Sequence, residues 1–170
     1  MRYNPDVHHR KSIRLKDYDY SKEGMYFITI CTKDRECILS EIVGVHTCAQ
    51  INLMKTGKIA ENCLYKLEEL YKHVKLHDFV IMPNHIHMIL EIDHSCRVQI
   101  YKGTSMRPYK TIGQIIRGLK AGISKIVGYS IWQRNFYEHI VRNEKELYKI
   151  IEYIKYNPLN WENDSNYLKD

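Results

Sequence analysis

Phe79-Val80-Ile81-Met82-Pro83-Asn84-His85-Ile86-His87-Met88-Ile89-Leu90 decides how the rest of the chain is read. It lies inside two β-rich runs, residues 76–82 (LHDFVIM) and 86–92 (IHMILEI), separated by Pro83-Asn84. Pro presets a turn dihedral and Asn tolerates turn geometry, so the two runs read as an antiparallel hairpin. Strand side chains alternate between faces, so His85 and His87 share one face while Ile86 and Met88 share the other.

Outward from this hairpin, residues 25–32 (MYFITICT) are rich in β-branched and aromatic side chains and read as a further strand. Residues 53–74 repeat apolar positions at helical spacing: Ala60, Cys63, Leu64, Leu67, Leu70, Tyr71 and Val74. The polar stretch 94–108 reads as an exposed loop. A second helix follows, with Ile112, Ile115, Ile116, Leu119, Ile123, Ile126 and Val127 on one face. Lys110, Arg117, Lys120 and Lys125 fall outside that stripe and are expected at the surface. Residues 131–141 have room for a short strand. Residues 144–156 form a third helix, with Leu147, Ile150, Ile151 and Ile154 inward, ended by Asn157-Pro158. The pattern is α+β around an antiparallel sheet, and helices gathered on one face would leave the other free for a ligand.

The 170 residues, 44% hydrophobic and 27% charged, suit one packed domain and exclude a disordered or fibrous chain. We expect a basic N-terminal arm over residues 1–24 and a single domain over 25–170. The sequence has no apolar run of about eighteen residues and no signal-type apolar segment, which predicts a cytoplasmic protein with no membrane partner. Its five cysteines (31, 37, 48, 63 and 96) never form C-x-x-C, against a disulfide framework or four-cysteine zinc site.

The formal net charge is +6. Residues 97–142 carry nine basic side chains against one acidic, Glu138, while the segments on either side are neutral or slightly acidic. Such a concentration suits a polyanion, although a solvated basic face has the same composition.

Two imidazoles on one strand face can share a divalent cation, but need further ligands. Taken alone, H-x-H also fits two surface histidines, and His8-His9 shows how easily pairs arise among nine. In the third helix Tyr153 and Asn157 are four apart and therefore neighbours. Both fall on the flank of the apolar stripe. A tyrosine there can be a nucleophile or simply a packing residue, and Asn157 can be a helix cap.

Three segments together resemble a known family. They are Pro83-Asn84-His85-Ile86-His87, residues 132–143 (WQRNFYEHIVRN) and residues 152–161 (EYIKYNPLNW). They are similar to the single-tyrosine HUH transposases, and most of all to the REP-associated tyrosine transposases, relatives of small insertion-sequence transposases. Residues 10–16 (RKSIRLK), 26–32 (YFITICT) and 111–120 (TIGQIIRGLK) extend the likeness over nearly the whole chain.

The resemblance implies a ferredoxin-like sheet with helices packed on it. It implies a divalent metal, Mg²⁺ or Mn²⁺, held by His85, His87 and Asn157, and a Tyr153 nucleophile. Tyr156 is the rival, but Asn160, four residues on, lies beyond Pro158. The implied reaction nicks and rejoins single-stranded DNA at hairpin-containing ends through a 5′-phosphotyrosine link. Activity is then expected to fall as pH drops through the histidine range. Arg117, Lys120, Arg134, Arg142 and Arg14 become candidates for DNA phosphates, with the enzyme working as monomer or homodimer on the bacterial nucleoid. A non-catalytic hairpin binder of the same fold is the alternative. A zinc hydrolase is a third, with no H-E-x-x-H to support it.

Overall fold

Strand β1 (Gly24–Cys31) splits its side chains between two cores. Tyr26, Ile28 and Ile30 enter one, and Phe27 enters the other. It is the centre of the sheet in the computed structural model, which describes residues 18–44, 49–95 and 109–167. The chain continues through β2 (Ser40–Val43), β3 (Gln50–Leu53), α1 (Lys55–Tyr65), α2 (Leu67–Leu70), β4 (Val74–Ile81) and β5 (His85–Ile92). After these come α3 (Ile112–Val127), β6 (Tyr137–Val141) and α4 (Glu144–Tyr156), then a 3-10 turn at Pro158–Asn163.

The main sheet has four strands in the order β4-β5-β1-β6, and every neighbouring pair is antiparallel. With α1 between β1 and β4, and α3 between β5 and β6, this is the expected ferredoxin-like α+β fold. The expected hairpin is present as β4 and β5, with Met82 N–H bonded to the His85 carbonyl across its turn.

On one face, Ile86, Met88, Leu90 and Ile92 of β5 meet Ile112, Ile115, Ile116, Leu119 and Ile123 of α3. Helix α3 starts at a capping box, with Thr111 Oγ1 accepting from Gln114 N–H and Gln114 Oε1 accepting from Thr111 N–H. It stops at Gly128, whose φ of 98° is a conformation that L side chains resist. The opposite face is not left open. Helix α4 lies across it, burying Ile154 among Phe27, Val80, Met82 and Ile89. A sheet buried on both faces explains why β5 reads as a near-continuous apolar run.

One local expectation is revised, one element is new and the short strand expected within 131–141 is present. The helix expected over 53–74 breaks at Lys66, and the chain leaves it at Tyr71 because Val74 pairs with Ile92 to extend the hairpin. The β2–β3 ribbon was not anticipated, since each strand has only four residues of mixed polarity. Within 131–141 only Tyr137–Val141 joins the sheet, while Trp132 makes an isolated bridge to Thr32.

Helix α1 is seated against the segment before β2 at Gly57, where an added Cβ would meet the Leu39 carbonyl oxygen at 2.0 Å. Ala in a helix interior normally gains about 1 kcal/mol over Gly. Here backbone meets backbone, and Gly57→Ala is expected to lose about 1–3 kcal/mol instead. Urea unfolding followed by circular dichroism should show the lowered midpoint; an unchanged or raised one would refute this close fit.

Much of the N-terminal arm (residues 1–17, with Arg14 and His8-His9), most of the 94–108 loop, and Cys48 and Cys96 lie outside the described residues. Among the described residues, no helix is long and apolar enough to cross a membrane.

Candidate active site

The register of the central strands assembles the site. Cys31 lies opposite His85, Thr29 opposite His87 and Phe27 opposite Ile89, so the imidazoles face α4. Both are buried, as is Asn84 before them. Asn84 Nδ2 donates to the carbonyls of Arg35 (3.2 Å) and Asn166 (2.9 Å), which fixes the amide orientation. Its Oδ1 therefore accepts from His85 Nδ1–H at 2.8 Å, leaving the lone pair of His85 on Nε2. Thr29 Oγ1 stands 2.8 Å from His87 Nδ1, and a hydroxyl there serves either tautomer. The two Nε2 atoms converge to 3.0 Å, and Phe27 stacks on the His87 ring at 5.2 Å.

Helix α4 brings Tyr153 over this pair, its hydroxyl 3.2 Å from His87 Nε2 and donating to Asp164 Oδ2 at 3.1 Å. Pro158 starts the 3-10 turn that folds the chain back after α4. Asp164 then meets Asn157, whose Nδ2 donates to Asp164 Oδ2 at 2.8 Å. Asn166 holds the other carboxylate oxygen through its backbone N–H at 2.6 Å and its side-chain Nδ2 at 2.8 Å. The Arg35 guanidinium donates to Asn166 Oδ1, and Trp161 lies 5.9 Å from the His85 ring.

Burial sets the charge states. Desolvation lowers His85 to about 4, with Asp164 opposing the shift and Arg35 adding to it. Desolvation and then the neighbouring His85 lower His87 to about 3. The Tyr153 phenol is raised to about 12, first by burial and then by the charge and hydrogen bond of Asp164. Burial would raise Asp164 itself, but the amides of Asn157 and Asn166, with His85, leave it below its ordinary value.

The donor set suits a divalent cation. His85, His87 and Asp164 each offer a ligand atom, all within 4.8 Å of one another. Asn157 Oδ1 is buried beside them without a hydrogen-bond partner among the described residues. Two imidazoles, a carboxylate and an amide oxygen form a mixed nitrogen and oxygen set of the kind Mn²⁺, Zn²⁺ or Mg²⁺ accept.

Protons compete weakly for such ligands. As pH falls below about 6.5, an unfolded chain protonates these histidines while the folded one does not, so stability declines from there toward their lowered values. Over the same range the folded pair stays neutral, so the fall in activity expected through the ordinary histidine range is displaced to lower pH. Mn²⁺ affinity measured by calorimetry is therefore expected to differ less than about threefold between pH 7 and pH 5.5. A tenfold or larger fall would mean that the imidazoles titrate as exposed ones do.

His85, His87, Tyr153 and Asn157 thus come together in one place. The basic candidates do not. Arg117 is exposed on α3, across the sheet from the imidazoles. Lys120 departs from the expected displayed position: it is half-buried and donates to the carbonyls of Gln133 and Asn135. Arg134 and Arg142 are exposed before and after β6, and Arg14 lies outside the described residues. The residues that sequence reading overlooked are Asp164, Asn84, Thr29, Arg35 and Asn166. Asn84 and Thr29 lay inside segments already singled out, where they read as a turn former and a strand residue.

No protein-family model matches the chain. It is 40% identical over 180 residues to an uncharacterized protein of Haemophilus influenzae, covering 98% of each chain, and belongs to one family with that protein. A second protein of that organism, described as "Putative REP-associated tyrosine transposase", is 25% identical over 152 residues (83% of this chain, 73% of the relative). A solved structure of a REP-associated tyrosine transposase bound to a REP hairpin superposes with a TM-score of 0.61. It covers 89% of this chain and 74% of that one at 20% identity, and the two share the fold. The chain is thus similar in sequence to a protein described as a REP-associated tyrosine transposase and shares the fold of another.

Proposed function

We propose that the chain nicks and rejoins single-stranded DNA at hairpin-bearing ends through a covalent 5′-phosphotyrosine link on Tyr153. The observation that carries this reading is the position of the Tyr153 hydroxyl, 3.2 Å from His87 Nε2 and 3.1 Å from Asp164 Oδ2. A phenol is a weak nucleophile unless neighbouring charge activates it, and this one stands at the edge of a two-imidazole, one-carboxylate cluster. The hairpin bound to the structurally similar transposase supports the choice of substrate.

His85, His87 and Asp164, with Asn157 beside them, would hold Mg²⁺ or Mn²⁺, which when bound polarises the scissile phosphate and offsets negative charge. Tyr153 Oη attacks phosphorus, and its proton passes to the Asp164 oxygen that it already faces. The bond from phosphorus to the 3′ oxygen breaks, and that oxygen leaves as a hydroxyl after taking up a proton. The 3′-hydroxyl of a second strand reverses these bond changes, releasing Tyr153 and joining the strands without ATP. Arg134, Arg142 and Arg117 are the exposed candidates for backbone phosphates, while Lys120 is largely withdrawn from that role by its internal hydrogen bonds.

The test is incubation with a panel of hairpin single strands and Mn²⁺, followed by denaturing electrophoresis. A covalent protein–oligonucleotide band supports the reading. Hairpin binding without such a band across the panel would point instead to the non-catalytic binder.

A further inference from the structure

We propose that the cavity beside Tyr153 holds one unstacked nucleotide of the DNA strand, next to the phosphate under attack. This inference rests on the single-strand reading above. The cavity is about 510 Å³, well within the range of small-molecule sites, and both Tyr153 and His87 line it. Anything bound there is therefore adjacent to the nucleophile.

Its walls divide by chemistry. One is aromatic, formed by Phe27, Phe136 and Tyr137. Phe27 is fixed by stacking on His87, and Tyr137 lies edge-on to it at 6.4 Å with its ring half exposed. Exposed aromatic rings cost little in folding and provide stacking surface for a base. The second wall comes from Gln133 and Asn135. Their backbone is pinned, with Gln133 N–H on the Cys31 carbonyl and the Lys120 amine on both of their own carbonyls. Their side-chain amides make no hydrogen bond among the described residues. An amide offers a donor and an acceptor together, the pairing that matches a base edge.

Arg35 also lines the cavity. It sits in a turn where Asp34 and Arg35 have φ of 52° and 59°, a left-handed conformation that non-glycine residues avoid. The turn is held by Asn84, which binds both the Arg35 carbonyl and His85. Its guanidinium uses one contact on Asn166 and has further N–H groups to offer a phosphate. Aromatic wall, amide edge and cation thus match the three parts of a nucleotide that a protein can recognise.

The test uses ten-nucleotide single strands of random sequence, each with one central 5-iodouracil, and the full chain with Mn²⁺. Irradiation and peptide mass spectrometry should find cross-links on Phe27, Phe136 or Tyr137. By fluorescence anisotropy, Tyr137→Ala should weaken binding about tenfold. Gln133→Ala should weaken it a few-fold, while Tyr148→Ala, exposed elsewhere on α4, should not. Strands that bind with cross-links only outside these rings, or unaffected by Tyr137→Ala and Gln133→Ala, would overturn the pocket and leave the transposase reading intact. No binding of any strand, hairpins included, would overturn both.

Discussion

Tyr153→Phe is expected to abolish the covalent protein–DNA product, a loss of roughly 10⁴-fold or more, because the substitution removes the attacking oxygen. The rest of the site should survive. The ring keeps its edge-on contact with Phe27 at 6.0 Å and its packing on His87. What disappears is the hydroxyl, with its bonds to His87 and Asp164. Tyr153 is 42% exposed, so water replaces much of what is lost and stability should change by less than about 1 kcal/mol. Loss of product alongside unchanged unfolding and unchanged hairpin affinity would isolate the chemical role. Tyr156 is the control. It is 56% exposed and makes no ring contact with either imidazole, so Tyr156→Phe should leave the product intact. A product that survives Tyr153→Phe and vanishes in Tyr156→Phe would move the nucleophile and sink the proposed geometry.

The two variants also test how much of the site can be read without coordinates. The placement of Tyr153 is legible because helical spacing sets it on the flank of the Leu147–Ile154 stripe, while its role as nucleophile comes from the resemblance. The shared face of the His pair is legible because alternation is a rigid property of strands. Both periods survive folding: β5 and α4 have the expected faces, and α3 has the expected apolar stripe except at Ile126, which is exposed. What periodicity cannot reach is the part of the site that irregular backbone supplies. Asp164 follows a proline-initiated turn, Arg35 sits in a left-handed one, and Asn166 lies in the irregular segment after that proline-initiated turn. None of them has a repeating neighbour from which its direction can be inferred. Lys120 fails for another reason. Its Cα lies outside the apolar stripe as expected, but a four-carbon stem lets its amine reach two backbone carbonyls and spend its hydrogen bonds there.

Asp164 carries the second large expectation. The resemblance points to His85, His87 and Asn157 as the metal ligands, whereas the structure gathers His85, His87 and Asp164, with Asn157 donating to the carboxylate. Asp164→Asn preserves size while removing charge. It is expected to weaken Mn²⁺ binding by about 100-fold, against about tenfold or less for Asn157→Ala, because a carboxylate outweighs an amide oxygen on a hard cation. The reverse ranking would restore Asn157 as the principal third ligand. An independent readout comes from the nucleophile. Burial is the largest cause of the raised Tyr153 phenol, but the charge of Asp164 and the hydrogen bond it accepts are the next two. Neutralising Asp164 should therefore ease ionisation of Tyr153 in the metal-free protein. A spectrophotometric titration, with Tyr153→Phe subtracted to isolate the one phenol, should find its midpoint lowered from about 12. A midpoint that stays put would mean that burial alone holds the proton, and Asp164 would lose its part in readying the attack. A midpoint that drops with Mn²⁺ in the native protein, but less in Asp164→Asn, would tie metal binding and nucleophile activation to the same carboxylate.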